Sequence, residues 1–177
     1  LDGELVKWPS YMDKAIDLAS SVFNATPNPR VGCVIVKDGS VIGEGWHSAA
    51  GEKHAEIVAL EDAGSSAKNS TAFVSLEPCA HQGRTPPCSE ALIAAGVDRV
   101  VIASVDPDER VSGRGIKALE RANIKVFHLL DFDERAKAVN PGFFKRQEFG
   151  KPFVRLKLAM SIDGRTALSN GKSKWIT

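Results

Sequence analysis

The stretch VGCVIVKDGSVIGEGWH, residues 31–47, decides the fold of this chain. VGCVIV (31–36) is a short apolar run of the kind that forms a buried strand. Asp38-Gly39 follows it and is a strong signal for a hairpin turn. We therefore expect the second run, VIGEGWH, to return as a neighbouring strand of the same sheet.

Helix and strand patterns alternate through the rest of the chain. Three helices are expected, one beginning near His54 and two running through SEALIAAG (89–96) and GIKALERAN (115–123). Three more strands are expected, at residues 71–76, 99–104 and 125–130. This alternation predicts an α/β protein whose sheet is covered on both faces, and the hairpin makes that sheet mixed rather than purely parallel.

Another helix is predicted ahead of the hairpin, with Ser10 as its N-cap. Its apolar residues recur with helical spacing, at Met12, Ala15, Ile16, Ala19, Val22 and Phe23. The segment TPNPR (26–30) cannot continue this helix, because each proline disfavours helical backbone in the residue before it.

Size and charge limit the function classes that need considering. The 177 residues suit one domain with room for a fragment of a second. A net charge of +1 provides no basic field for nucleic acid. No apolar run approaches the roughly 20 residues of a membrane span, and the N-terminus lacks a signal-peptide core. We expect a soluble, cytoplasmic protein with neither a nucleic-acid nor a membrane partner.

A change in composition marks a domain boundary. NPGFFKRQEFGKP (140–152) places Pro and Gly around a basic and aromatic stretch. FVRLKLAMSIDG (153–164) then suggests a new strand and turn. We assign residues 1–150 to one domain and residues 151–177 to the start of a second, because so short a segment cannot form a domain.

Three short segments contain side chains that bind transition metals: His54-Ala55-Glu56, Pro78-Cys79 and Pro87-Cys88. One histidine and two thiolates supply the three protein ligands of a catalytic zinc site, which leaves the fourth position to water. Glu56 is poorly placed to share the metal, but it can reach the water and transfer its proton. The arrangement resembles the signature of the zinc nucleobase deaminases.

Each of these residues also has an ordinary structural interpretation. A lone His-Ala-Glu is usually a helix start with an exposed Glu. A lone cysteine is usually a small core residue, which is what we expect of Cys33. A structural zinc site usually has four protein ligands, and His81 could be the fourth. The combination of His54 with two downstream Pro-Cys pairs favours the catalytic interpretation.

The spacing of the cysteines points to a narrower family. EPCAHQGRTPPC (77–88) places eight residues between them. With TPNPRVGCVIVKDG (26–39) and GEGWH (43–47), it resembles the deaminase domain of the bifunctional deaminase/reductase family of riboflavin biosynthesis, over about residues 10–150. The resemblance implies a cytidine-deaminase-like three-layer α/β/α sandwich with a mixed sheet of about five strands.

The same resemblance implies a reaction and the residues that carry it out. The reaction is the hydrolytic deamination of 2,5-diamino-6-ribosylamino-4(3H)-pyrimidinone 5′-phosphate to 5-amino-6-ribosylaminouracil 5′-phosphate. The zinc ligands would be His54, Cys79 and Cys88, and Glu56 would be the proton shuttle. Asn28 matches a ring-contacting asparagine, since an amide offers both donors and an acceptor, although a turn role is the alternative.

Further substrate contacts are implied around the pocket. His47, His81 and Arg84 are candidates for the ribose phosphate, because an arginine fork binds phosphate oxygens in pairs. His81 and Arg84 could equally stabilise their loop. His128 alternates with apolar neighbours in a predicted strand, so we expect it to be structural.

One loop departs from the family pattern. DPDERVSGRG (106–115) resembles a loop that usually reads Asp-Pro-Asn-Pro. Asp106 matches and is a candidate substrate contact, whereas Asp108 and Glu109 replace the Asn-Pro pair. We expect deamination to persist, because the metal-ligand set is intact.

From Lys151 onward the chain resembles the start of a reductase domain that uses NADPH. By this resemblance Ala159 and Trp175 would contact the cofactor, and Ser173 would contact the reductase substrate. We expect the residues present to deaminate without reducing, and a homo-oligomer is possible. The alternative function is a zinc deaminase of another base, a nucleoside or a tRNA adenosine, the last of which would require a basic surface.

Overall fold

A computed structural model gives the fold and describes residues 6–81 and 86–174. Its centre is one five-stranded sheet with the strand order β2-β1-β3-β4-β5. The strands are β1 (Gly32–Lys37), β2 (Ser40–Trp46), β3 (Thr71–Val74), β4 (Arg99–Ile102) and β5 (Lys125–His128). Strand β1 is antiparallel to β2 and β3, and β3, β4 and β5 are parallel. The mixed five-stranded sheet predicted from the sequence is therefore confirmed.

The hairpin between β1 and β2 turns at the predicted dipeptide. Lys37 pairs with Ser40, so Asp38 and Gly39 are the only two residues of the turn. Their φ angles are 49° and 74°, the left-handed values that a type I′ turn requires at both central positions. This turn sets the pairing of Val36 with Val41, and an irregularity between Ile35 and Val36 then shifts the register so that Ile35 pairs with Gly43.

Helices cover both faces of the sheet. They are α1 (Trp8–Ser20), α2 (Ala55–Ala63), α3 (Cys88–Ala94), α4 (Arg114–Arg121), α5 (Asp133–Val139) and α6 (Pro141–Phe149). Apolar residues of α2, α3 and α4 pack on one face of the sheet, around Ile35, Val74 and Ile102. Residues of α1 and α5 pack on the other, around Val34 and Phe73. The architecture is the expected three-layer α/β/α sandwich.

Helix α2 lies directly against the backbone of β2. A Cβ added at Gly43 would stand 2.3 Å from the Ala59 carbonyl oxygen, and one at Gly45 would stand 2.2 Å from that of Ala55. Only glycine permits so close an approach at these two positions. The contact places the first residues of α2, where the sequence predicts metal chemistry, beside the end of β2.

The predicted boundaries of the first helix are wrong. The helix begins at Trp8 with Lys7 at the N-cap, because Pro9 fits the first turn of a helix. The Ser10 hydroxyl donates to the Lys7 carbonyl oxygen over 2.7 Å and caps no free N–H. Phe23 lies beyond the end of the helix and is almost fully exposed.

The sequence patterns also failed near the C-terminus. Helices α5 and α6 have no clear apolar period in the sequence, and α6 lies within the stretch 140–152 that marks the predicted domain boundary. Residues 153–160 form no strand, and the apolar side chains of this segment are exposed. A strand needs a neighbouring strand to satisfy its backbone groups, and none lies beside this segment in the described part of the chain. None of the described helices has the length and hydropathy of a membrane span.

The close packing of α2 on β2 makes a stability prediction. We expect Gly43→Ala to lower the free energy of unfolding by about 1–3 kcal/mol, because the new methyl group forces the helix away from the strand. Urea denaturation followed by circular dichroism measures the change. Gly142→Ala is the matched control, because its Cβ would meet only Phe153 Cβ at 3.9 Å. Equal midpoints for Gly43→Ala and the wild type would contradict the prediction.

Candidate active site

Three predicted metal ligands meet at one point of the fold. His54 is the N-cap residue of α2, and Cys88 is the first residue of α3. Cys79 lies in the loop that follows β3. The side-chain ligand atoms of the three residues all lie within 4.8 Å of one another. Residues separated by up to 34 positions are thus brought together by two helix starts and one loop.

The distances suit a tetrahedral ion. His54 Nδ1 lies 3.2 Å from Cys88 Sγ and 3.6 Å from Cys79 Sγ. With zinc–sulfur bonds of about 2.3 Å and zinc–nitrogen bonds of about 2.05 Å, the edge of a tetrahedron between N and S is roughly 3.6 Å. Among the described residues, no fourth histidine, cysteine or carboxylate belongs to this group. Neither His81 nor Glu56 is a member of it. The set fits a metal that keeps one position open.

The protein favours a thiolate at this point. A hydrogen bond from Cys88 lowers the pKa of the Cys79 thiol to about 4, and His54 adds to the effect. The same hydrogen bond raises the pKa of Cys88, while the bond to Cys79 raises the pKa of His54. The backbone N–H of Cys88, at the start of α3, also donates to Cys79 Sγ over 3.3 Å. Cys79 and Cys88 share one proton between their sulfur atoms. A bound cation would replace that proton and stabilise both thiolates.

Glu56 stands in the first turn of α2, beside the ligand group. Its side chain is buried, and burial raises the pKa of its carboxyl group to about 7, with a further contribution from the negative charge on Cys79. A carboxyl group with such a pKa can both accept and release a proton near neutral pH. Glu56 also borders the cavity described next, so the proton would be exchanged with a molecule bound there.

A cavity of about 510 Å³ opens onto His54, Glu56 and Cys79. Its walls come from the segment 27–31, the residues before α2, the loop 106–111 and helix α6. A volume of this size is typical of a site for a small molecule. The ligand group and Glu56 therefore face a chamber large enough for a nucleotide-sized substrate.

Asn28 lines this cavity and is held by His47. Asn28 Nδ2 lies 3.0 Å from His47 Nε2, and His47 Nδ1 lies 3.0 Å from the Lys53 carbonyl oxygen. Because a carbonyl only accepts, His47 donates from Nδ1 and accepts the Asn28 amide proton at Nε2. His47 is buried, borders the cavity and has both ring nitrogens engaged, and its contact with the phosphate stays a prediction. Because the Asn28 NH₂ group is bound to His47, the orientation of the Asn28 side-chain carbonyl oxygen is fixed as well.

The loop that departs from the family pattern forms another wall of the cavity. Asp106 is buried, and burial raises the pKa of its carboxyl group to about 7. Its Oδ1 accepts the backbone N–H of Asp108 over 2.8 Å. The Asp108 carboxylate binds the Arg110 side chain, and this hydrogen bond lowers the pKa of Asp108 to about 2. Asp108 is thus already paired at the position where the family pattern has Asn.

The remaining predicted contacts are distributed differently. His81 is exposed at the edge of the cavity, whereas Arg84 lies outside the described residues. Ala159 and Ser173 are exposed in the C-terminal segment, and Trp175 lies outside the described residues. His128 hydrogen-bonds the Ala103 carbonyl oxygen over 3.0 Å, consistent with the structural role expected of it. Cys33 is buried in the core, as expected.

Several residues of the site have no clear signal in the sequence. Phe143, Arg146 and Gln147 line the cavity from α6, a helix that the composition had concealed. Asn140, just before α6, donates from Nδ2 to the Arg30 carbonyl and accepts the Arg30 N–H at Oδ1, both over 2.8 Å. It thereby ties α6 to the segment that contains Asn28. The sequence signal for this helix is the pair Asn140-Pro141, because Asn is favoured at the N-cap and Pro at the first helical position.

The fold and the metal-ligand group define a class of protein. Residues 7–104 match the family described as the cytidine and deoxycytidylate deaminase zinc-binding region, and the chain belongs to that family. The deoxycytidylate deaminase of cyanophage S-TIM5 shares the fold, with a TM-score of 0.55 at 23% identity over 69% of this chain and 96% of that chain.

Similarity to particular members is much higher. The chain is 55% identical to riboflavin biosynthesis protein RibD of Escherichia coli K12 over 94% of its own length and 46% of that protein. It superposes on RibD of Acinetobacter baumannii with a TM-score of 0.90 at 50% identity, covering 98% of this chain and 49% of that one.

A third structure gives the same result. It is a diaminohydroxyphosphoribosylaminopyrimidine deaminase/5-amino-6-(5-phosphoribosylamino)uracil reductase of Thermotoga maritima, with a TM-score of 0.88 at 39% identity over 96% of this chain and 49% of that chain. The chain spans about half the length of RibD of Escherichia coli and of the two deaminase/reductase structures. The resemblance to the riboflavin deaminase/reductase family is thereby confirmed.

The ligand geometry predicts the metal content of variants. We expect purified wild-type protein to hold about one zinc per chain and Cys88→Ala to hold much less, because two ligands do not retain a catalytic zinc. Elemental analysis after dialysis without chelator measures this. Cys33→Ala is the control, since Cys33 is a buried cysteine outside the ligand group, and it should keep its zinc. Zinc retention in Cys88→Ala would remove Cys88 from the site.

Proposed function

We propose that this chain catalyses the hydrolytic deamination of 2,5-diamino-6-ribosylamino-4(3H)-pyrimidinone 5′-phosphate to 5-amino-6-ribosylaminouracil 5′-phosphate, a step of riboflavin biosynthesis. The observation that carries the proposal is a buried carboxyl group, Glu56, next to a three-ligand metal group at the wall of a cavity of about 510 Å³. The choice of substrate rests on the similarity to RibD over nearly the whole chain.

The metal group fits zinc in number, type and spacing of ligands, and His54, Cys79 and Cys88 would hold it. When bound, zinc supplies a Lewis acid that lowers the pKa of water to about 7. His54 would bind through Nδ1, the ring nitrogen that faces both sulfurs. The short, fixed distances among the ligand atoms leave little rearrangement for binding.

Glu56 would move the proton. Its carboxylate takes a proton from the attacking water as the new carbon–oxygen bond forms at the ring carbon. It passes this proton to the adjacent ring nitrogen, then takes the proton of the new hydroxyl group and delivers it to the exocyclic nitrogen. The carbon–nitrogen bond breaks, a carbonyl group forms and ammonia leaves. The protein begins and ends the cycle with the same proton count.

Asn28 and Asp106 would orient the substrate. His47 fixes the Asn28 amide, so that its carbonyl oxygen can accept a hydrogen bond from an amino group of the ring. Asp106 faces the same cavity from the opposite loop and can accept from another donor of the substrate. His81 and Arg84 are proposed for the phosphate, since both follow Cys79 in the loop that leads to Cys88.

Residues 151–177 are proposed to begin a second domain, the NADPH-dependent reductase of this family, with contacts from Ala159, Ser173 and Trp175. The observation in support is an alternation of exposed apolar residues, at Val154, Leu156, Leu158, Met160 and Ile162. Such a row suits a strand whose partner strands belong to another unit. We further propose a cytoplasmic location and a small-molecule substrate.

A substrate panel tests the proposed function. We expect ammonia release from the diaminopyrimidine ribotide, and at least a hundredfold lower kcat/KM with cytidine, guanine or adenosine, because binding groups left unpaired cost a site several kcal/mol. Coupled glutamate dehydrogenase detection measures ammonia directly. Turnover of a nucleoside or of tRNA adenosine in preference to the ribotide would refute the choice of substrate.

Replacement of Glu56 tests the mechanism. We expect Glu56→Gln to keep its zinc and to lose about 10²–10⁴-fold in kcat, because the amide cannot transfer the proton. The zinc content is measured beside the rate. Glu61→Gln is the matched control on the same helix, where the exposed carboxylate only pairs with Lys53. Wild-type turnover by Glu56→Gln would exclude Glu56 as the shuttle.

A further inference from the structure

Glu77 is a buried acidic residue for which the proposed mechanism has no use. It follows β3 and precedes Pro78-Cys79, so it is two residues from a metal ligand. Its side chain is 3% exposed. No lysine, arginine or histidine pairs with it in the ion pairs of the described residues. Burying a carboxyl group is costly unless other donors replace water.

Those donors are backbone N–H groups of one segment. Glu77 Oε1 accepts from Gly115 over 3.0 Å and from Ile116 over 3.3 Å. Glu77 Oε2 accepts from Gly113 over 3.0 Å and, more weakly, from Asp106 over 3.4 Å. One side chain therefore binds both ends of the loop 106–113 and the first turn of α4. Oε2 binds both ends of the loop, while Oε1 binds the first turn of α4.

This loop is the cavity wall that includes Asp106, Asp108 and Arg110. The hydrogen bonds continue outward from Glu77 through the wall. Asp106 Oδ1 holds the backbone of Asp108, and the Asp108 carboxylate holds Arg110. A series of hydrogen bonds thus runs from buried Glu77 through Asp106 and Asp108 to Arg110, which is exposed at the cavity.

The packing around Glu77 leaves little freedom for compensation. A Cβ added at Gly115 would stand 2.0 Å from the Pro78 carbonyl oxygen. The start of α4 therefore touches the backbone that leads to Cys79. The four hydrogen bonds to Glu77 therefore connect the cavity wall 106–113 and the start of α4 to the segment that contains Cys79.

We propose that Glu77 is a positioning residue for the substrate, which holds the loop 106–113 so that Asp106 faces the bound pyrimidine ribotide. The inference rests on the proposed function, because it concerns the substrate of that same site. Glu77 also borders the cavity, but both of its carboxylate oxygens accept backbone N–H groups. It acts through Asp106, so its replacement should weaken substrate binding while zinc binding and the proton transfer by Glu56 persist.

Glu77→Gln is the primary variant, because it keeps the shape and replaces one acceptor oxygen with an NH₂ group that faces N–H donors. In zinc-loaded protein we expect KM for the ribotide to rise about tenfold, while kcat changes by less than about threefold. Zinc content should remain at the wild-type value. Asp62→Asn is the matched control, since Asp62 Oδ2 also accepts a backbone N–H, that of Glu44 over 2.9 Å, far from the cavity.

A double-mutant cycle separates positioning from general stability. If Glu77 acts through Asp106, Glu77→Gln should add little to the KM of Asp106→Asn, because the contact that it positions is already lost. A merely structural Glu77 would multiply KM by the same factor in both backgrounds, and that result would overturn the proposal. Lower thermal stability of Glu77→Gln with an unchanged KM would overturn it as well.

Glu77→Asp serves if the Gln variant does not fold. It keeps the charge, but the shorter side chain cannot reach all four N–H groups, so KM should again rise without loss of zinc. A folded Glu77→Asp with wild-type KM would refute the proposal. Wild-type protein that fails to deaminate the ribotide would instead refute the proposed function, and this inference with it. If the wild type deaminates the ribotide but Glu77→Gln and Asp106→Asn raise KM independently, only the role of Glu77 is refuted.

Discussion

The direct contact between α2 and β2 is the constraint on which the rest of the structure depends. Gly43 and Gly45 allow the helix to lie on the strand backbone, where any side chain would collide with Ala59 or Ala55. That contact fixes the start of α2, and with it His54 and Glu56. The other two ligands then need only a loop after β3 and the first residue of α3. Chemistry at this site is a consequence of how closely one helix approaches one strand.

The site contains three carboxyl groups that are costly to bury without hydrogen bonds or a nearby cation. Buried Glu56, Glu77 and Asp106 lie in one region of the fold, and each has a different source of stabilisation. Glu77 receives four backbone N–H bonds, Asp106 receives one from Asp108, and Glu56 borders the cationic centre that the ligand set suits. All three border the cavity, and the roles proposed for them differ: Glu77 would position the loop 106–113, Asp106 would orient the substrate and Glu56 would transfer the proton.

The sequence predicted those features whose signals are local. The Asp38-Gly39 turn, five strands and the His-Cys-Cys set follow from dipeptide chemistry, apolar runs and ligand types, and the structure agrees with each. It did not reveal α5 and α6, because their few apolar residues show no clear period. Nor did it reveal Glu77 or Asn140, whose partners are backbone groups 29 to 110 residues away. Such pairings depend on tertiary proximity, which a linear pattern does not encode.

The convergence of the three ligands on one ion also has a topological consequence. A metal held by His54, Cys79 and Cys88 closes loops of 25 and 9 residues, much as covalent bridges would. Cross-links of this kind reduce the entropy of the unfolded chain, and binding to the native state alone shifts the folding equilibrium by mass action. A metal bound by these three residues would thus also connect the start of α2 to the start of α3.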